Sequence, residues 1–250
     1  MSVRRAGAAR SIGPARTVNT AVTGPDSYFA AQLADAPIAQ WKMNEPSGTT
    51  MVDSSGNGHD GSYVGSLSLG STVGAFTAPH FVNDWTKYAK VTNGAWMNAV
   101  DTAITLEALY YADSFNSYAT IIGGDDMGAS NRRAMMRWDA GASGPNWSIA
   151  TSTTLYTMSG GPAGVTGAWY HGAMTYNGSV IKNYINGVEV NSQNATGTLR
   201  DWVPDIYIGR SAYTLSSYGA WNGYLCGIAW YETALSYGRI TAHAQAAGLA

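Results

Sequence analysis

Asp53, Ser55 and Asn57 stand at alternate positions in "DSSGNGHDG" (residues 53–61), and Gly58 follows them. That spacing opens a calcium loop, in which alternating oxygens face one hard cation and the glycine permits a sharp turn. The loop then needs a bidentate carboxylate at its twelfth position, which here is Val64. The stretch is therefore either a calcium site of another kind, with Asp53 and Asn57 as its candidate ligands, or no site.

Carboxylate chemistry has little to draw on. The only glutamates are Glu45, Glu107, Glu189 and Glu232. Glycosidases built on two sheets need two carboxylates held close together, and no run alternates acids along one strand. Glu107 stands alone in "ITLEALYY", and Asp125-Asp126 read as a loop before Gly128. His59, His80, His171 and His243 are scattered, and with a single cysteine no zinc spacing exists. Neither a G-x-S-x-G nor a phosphate loop is present. Cys226 falls in a strand with Tyr224, Ile228 and Trp230 on the same face, which predicts a buried, inert thiol. The expectation is a protein without catalysis or cofactor, calcium being the one ion left open.

Aromatics are the positive signal, with 16 Tyr and 9 Trp against 4 Phe. Tyr and Trp join an apolar face to a polar tip, which suits interfaces and stacking on sugar rings. Trp85 and Trp96 flank one loop-rich zone, Trp202 and Trp221 another, and these four are the candidate ligand-binding residues.

The elements that would position these groups are short strands. "IAQWKMN", "YAKVT", "ITLEALYYA", "YATIIGG", "RAMMRWDA", "NWSIATS", "TLYTMS", "DIYIGR" and "GYLCGIAWYE" are rich in aromatic and β-branched residues, and turn residues separate most of them. In "WYHGAMTYNGSVIKNYINGVEVNS" two Asn-Gly pairs, Asn177-Gly178 and Asn186-Gly187, predict type I′ turns and a three-stranded meander. A helix is predicted over "SYFAAQLAD", capped by Ser27 and ended by Pro37, and another over "SYGRITAHAQAAG", capped by Ser236 and ended by Gly248. Hydrophobic residues make up 45% of the chain, enough for a large core. About a dozen strands with little helix predict an all-β, two-sheet antiparallel jelly-roll sandwich.

Residues 1–25 differ from the rest. They carry Arg4, Arg5, Arg10 and Arg16 and no acid, leaving ten basic against sixteen acidic residues in the remainder. A cationic arm (1–25) thus precedes an acidic jelly-roll domain (26–250), and such an arm seeks an acidic surface. No stretch approaches 18 apolar residues, and residues 6–24 contain no continuous apolar run of the kind a signal peptide has. Charged residues are only 12%, about half the usual share for a soluble protein.

"IAQWKMNEPSGTTMVDSSGNGHDGSY", "ITLEALYYAD", "WYHGAMTYNGSVIKNYINGVEV" and "YIGRSAY…WNGYLCGIAWYETALSYGRITAH" occur in the order and spacing of one family. Across residues 36–247 the chain resembles the laminin G-like, concanavalin A-like jelly-roll domains. With "LADAP" before the first Trp it is similar to versions found in head or tail proteins of actinobacterial phages and in secreted proteins of their hosts. The resemblance implies two curved sheets and binding loops at one rim. It also implies that Asp53 and Asn57 chiefly close turns through their own side chains. Where the family often has Ile-Asp-Glu-Val, this chain has Leu225-Cys226-Gly227-Ile228, so no role of those acids carries over.

The function expected is a non-enzymatic structural or adhesion protein of a phage virion, in capsid decoration or the tail. The arginine arm would anchor it among other virion proteins, and the domain would meet host surface glycans or a further copy of itself. Neither nucleic acid nor membrane insertion is expected. The alternative is a carbohydrate-binding module of a secreted or cell-surface bacterial protein.

Overall fold

The structure, a computed structural model, describes residues 23–124, 133–139, 144–201, 205–211 and 219–250. Arg4, Arg5, Arg10, Arg16, Trp202, Asp125 and Asp126 lie outside the described residues.

Two antiparallel sheets pack face to face as a jelly-roll sandwich. The first sheet runs, from edge to edge, through β14 (Val188–Asn194), β13 (Val180–Ile185), β12 (Trp169–Tyr176), β7 (Ile104–Ala112), β16 (Asn222–Tyr231), β5 (Phe76–Val82) and β4 (Ser68–Val73). β1 (Ala39–Trp41) also pairs with β16. The second runs through β11 (Leu155–Ser159), β10 (Gly144–Ala150), β9 (Ala134–Asp139), β8 (Ala119–Gly123), β15 (Ile206–Ile208), β6 (Tyr88–Val91), β3 (Gly61–Val64) and β2 (Thr50–Met51). α1 (Pro25–Ala34) and α2 (Tyr237–Ala247) flank them. Trp41, Trp147 and Trp230 are buried between the sheets with Leu106, Ile149 and Ile228. Aromatics of this size bury roughly 150–250 Å² each and dominate the energetics of such a core.

Nine strands fall on the runs read from sequence, with β10 and β16 starting one or two residues earlier. Four of those missed, β2 to β5, are made of Gly, Ser, Thr and Pro as much as of apolar residues. β2 and β4 are edge strands, where one face and one side need no apolar partner. Pro79 is tolerated in β5 because the β4–β5 register shifts between Ser68 and Ser71, opposite it, and β16 pairs only with residues 80–82.

The meander of β12, β13 and β14 forms as expected. Asn186 and Gly187 both adopt positive φ, 50° and 77°, as a type I′ turn requires. The first Asn-Gly pair is corrected. Positive φ falls on Gly178 alone, and the Asn177 side chain instead accepts from the Ser179 and Val180 N–H groups. The start of α1 is corrected as well. Pro25 occupies the first turn behind Gly24, no side chain caps the helix, and Ser27 lies inside it. α2 matches its expectation: Ser236 Oγ accepts from Arg239 N–H, and Gly248 ends it at φ 76°.

Cys226 is buried, and burial raises its thiol pKa. It does not share a face with Ile228 and Trp230, however. A bulge at Gly227, φ 57°, shifts the β16–β7 register between Cys226 and Ala229. Cys226 and Ala229 then lie opposite Leu109 and Glu107 on the outer face, and Trp230 lies opposite Leu106 on the inner one.

Both helices cover that outer face of the first sheet through one polar cluster. Glu107, in the middle of β7, is fully buried. Its Oε1 accepts from Tyr231 Oη at 2.6 Å and from Gln32 Nε2 at 3.1 Å. Its Oε2 accepts from His171 Nε2 at 3.0 Å, and His243 Nδ1 lies 3.1 Å from both oxygens. His243 Nε2 in turn lies 3.0 Å from the Ala31 carbonyl and 3.0 Å from Asp35 Oδ2. Acceptors at both ring nitrogens favour the protonated form of His243. Burial favours the neutral acid at Glu107, but the His243 charge and the His171 and His243 hydrogen bonds outweigh it and lower its pKa. Burial likewise works against charge on His243, and Glu107 and Asp35 outweigh it, raising the pKa.

Among the described residues no helix is long and apolar enough to cross a membrane. Nor is any group of three or more His, Cys, Asp or Glu side chains arranged to hold a metal ion.

A candidate carbohydrate-facing surface

The "DSSGNGHDG" turn closes on itself. Asp53 Oδ1 accepts from the Gln40 and Ser55 N–H groups, and Oδ2 from Ser55 Oγ and the His59 N–H, all at 2.8–2.9 Å. Four donors fill the lone-pair sites of a carboxylate. They also keep its pKa low against the opposing effect of partial burial. The Asn57 amide donates to the Ile38 carbonyl at 3.0 Å. Both side chains organise the loop rather than point at a common ion.

The three candidate tryptophans within the described residues do not form one site. Trp96 is half-buried, stacked on His59 at 4.0 Å and edge-on to Trp230, so it packs the far end of the sandwich. Trp221 is corrected: at 1% exposure it lies in the core, edge-on to Tyr110 and Phe115. It could not have met a ligand from there. Trp85 sits before β6, at the opposite end from Trp96, and is 41% exposed. Among the described residues its indole stacks on no other ring.

Around Trp85 the sequence builds a surface by strand alternation. In β6 Ala89 and Val91 turn into the core, so Tyr88 and Lys90 turn out. In β15 Ile206 and Ile208 turn in, so Tyr207 turns out beside Lys90. The Tyr88 and Tyr207 rings meet at 5.7 Å. Gly209 then carries the chain over Phe81. Its φ is 82°, and a Cβ there would stand 2.2 Å from the Phe81 ring, so no other residue fits. Next comes Arg210, only 6% exposed, with its guanidinium 3.9 Å from the Tyr88 ring centre and 4.6 Å from that of Tyr207. Arg210 Nη1 donates to the Trp85 carbonyl at 3.0 Å, which holds the Trp85 loop against the sheet.

Three of the other charges nearby are engaged. Lys90 pairs with Asp205 at 3.0 Å, and that hydrogen bond raises the lysine pKa. Asp84 accepts from the Thr86 hydroxyl and N–H, which lowers its own pKa. Sequence reasoning found Trp85 but not Tyr88, Tyr207 or Arg210. The in-out alternation of "DIYIGR" was the signal available for Tyr207.

Away from this surface a concave region of about 480 Å³ is lined by Leu33, Asp35, Pro37, Asn57 and Glu232 among others. No aromatic side chain lines it, and Asp35 there is already paired with Arg239 at 2.7 Å.

The Laminin_G_3 family model, described as the Concanavalin A-like lectin/glucanases superfamily, matches residues 83–241, more than half of the chain. The chain belongs to this family. The match contains β6 to β16 and every residue of the Trp85 surface. No curated protein sequence is significantly similar to this concanavalin A-like chain. Among solved structures it is similar to domain 4 of AbnA, a GH43 extracellular arabinanase from Geobacillus stearothermophilus, determined in complex with arabinotriose. The TM-score is 0.62 at 18% identity, over 84% of this chain and 98% of that one. It is also similar to a botulinum neurotoxin DC binding domain in complex with SialylT, at TM-score 0.66, 14% identity and 86% of this chain. A third is botulinum neurotoxin type C, whose cell entry depends on two ganglioside molecules, at TM-score 0.65, 13% identity and 87% of this chain. The chain spans about half the length of the two neurotoxin chains, 52% and 53%. At these identities the likeness is one of fold.

Proposed function

We propose that this domain is a carbohydrate-binding module without catalytic activity, and that sugar rings stack on Trp85. The observation that carries this reading is a tryptophan 41% exposed, whose indole stacks on no other ring among the described residues and whose loop is held against the sheet by a Tyr88–Arg210–Tyr207 stack. An exposed indole offers a flat apolar face to the C–H side of a sugar, while its own scaffold stays fixed. The family description and the sugar-bound relatives lend support. A binding role is also supported by Glu107, the acid that collects two histidines, being sealed from solvent and committed to holding helices. A glycan array with the full chain tests this, with Trp85→Ala alongside. Retained binding in that variant, or silence across bacterial and plant polysaccharides, would remove the reading.

The charge asymmetry favours a further step. The arm (1–25) carries four arginines and no acid ahead of an acidic body. Such an arm fits a module fixed to a larger assembly, and the resemblance to phage head and tail proteins suggests a virion surface on which the module meets host glycans. The alternative, a secreted or cell-surface module, uses the same sugar surface without the arm. Deleting residues 1–22 discriminates between them. Loss of incorporation into particles with sugar binding intact supports the virion setting, and unchanged incorporation counts against it.

A further inference from the structure

We propose that the Trp85 surface is selective for acidic sugars, whose carboxylate pairs with Arg210; this rests on the carbohydrate reading above. Three features of Arg210 carry it. First, the side chain is 6% exposed yet faces no acid: among the described residues it makes no ion pair, and two tyrosine rings are its only electrostatic partners. Buried cations are ordinarily matched by a carboxylate, because desolvation costs far more than π-faces return. Second, its hydrogen bonding is one-sided. Nη1 is taken by the Trp85 carbonyl, Nε is buried with no acceptor, and no bond is described for Nη2. The edge left over, Nε with Nη2, is a fork that matches the two oxygens of a carboxylate. A buried N–H without a partner is a standing cost that such a ligand relieves.

Third, the surroundings are cationic on balance. Lys87, Lys90 and Arg210 stand against Asp84 and Asp205, and both acids are engaged locally, Asp84 by Thr86 and Asp205 by Lys90 and the Asn93 N–H. The arrangement differs from that of Arg133, which is also buried, at 1% exposure. Arg133 Nε also lacks an acceptor, but both of its terminal nitrogens donate, to the Asn98 side chain and to the Val100 and Arg200 carbonyls, so it serves to tie loops together. Arg210 has one such bond, to the Trp85 carbonyl, and no partner described for Nε or Nη2. The sugar ring would lie on Trp85 and its carboxylate in the fork, so ring and charge are read together.

The test is a calorimetric titration of the full chain with uronate oligosaccharides and with their methyl esters. Esterification removes the charge and keeps the sugar skeleton. The acid forms are expected to bind about tenfold tighter than the esters, or more, the scale of a charge-assisted pair. In Arg210→Gln, and nearly as fully in Arg210→Lys, which keeps charge but loses the fork, the acid-to-ester ratio is expected to fall close to one. Two variants guard against one failing to fold. Equal binding of acid and ester by the parent chain, or an unchanged ratio in both variants, overturns the proposal and leaves the carbohydrate reading standing if Trp85→Ala still abolishes ester binding. If neither form binds, acetate followed by Trp fluorescence separates the two ideas. An acetate response lost in Arg210→Gln keeps the anion site without the sugar, and no response removes both.

Discussion

Two polar clusters of this sandwich are built from similar parts and differ in what is left over. At Glu107 every charge meets its counterpart: a carboxylate, two histidines, a tyrosine and a glutamine close on one another, all buried. At Arg210 a nearly buried cation has one carbonyl, two rings and an Nε without a partner, next to a tryptophan that is 41% exposed. The first cluster closes on its own members, with only His171 Nδ1 left without a partner, and serves the fold. The second has a single hydrogen bond on its cation, beside a partly exposed tryptophan. On the proposed reading, the acid-and-histidine set holds the helices and the sugar-binding surface lies on the other sheet, among aromatics.

The comparison breaks most sharply at Glu107. Glu107→Gln removes the charge that balances His243 and leaves a carboxamide among donors. Breaking a buried ion pair from one side costs about 3–5 kcal/mol. Chemical denaturation should show a loss of that size, with α1 and α2 losing protection from hydrogen exchange first. A change within error would mean that the cluster does not hold the helices.

Asp53→Asn comes next, at about 1.5–3 kcal/mol, since an amide replaces one acceptor oxygen that four donors expect. The same denaturation experiment reads it, and sugar binding at the far end should not move.

The charge pair at Glu107 and His243 also sets a pH window. Glu107 has its pKa lowered from an ordinary 4.5, so its contribution is whole above that value and lost as pH falls through the folded one. His243 has its pKa raised from 6.5, so its contribution is whole below 6.5 and lost as pH rises through the folded one. Both are whole between 4.5 and 6.5, where melting temperature should peak. In His243→Gln the decline on the alkaline side of the peak should disappear. The smallest expected effect is that of calcium. With the Asp53 lone pairs filled from within the chain, melting temperature should be the same with calcium and with chelator.

How much could be read in advance varied with the range of the interaction. Strands with alternating or continuous apolar runs, such as "ITLEALYYA", were legible to the residue, because core burial writes itself into local pattern. The Gly- and Ser-rich strands β3 and β4 were not, since their pairing comes from neighbours rather than from their own composition. Glu107 looked isolated because His171, His243 and Tyr231 reach it from three other parts of the chain, 64 to 136 residues away. The bulge at Gly227, which turned Cys226 away from Trp230, left no mark beyond one glycine. Trp85 was visible as a residue type, and Trp221 was equally visible and wrong. Only burial separates the two.

The most direct measurement is the affinity of Trp85→Ala for whichever glycan the parent chain captures, taken together with its unfolding free energy. Truncating an aromatic anchor typically costs about 2 kcal/mol or more of binding, roughly thirtyfold in affinity. The expected result is a loss of that size with stability unchanged. Full affinity in Trp85→Ala, alongside binding that disappears when another face is altered, would contradict the account.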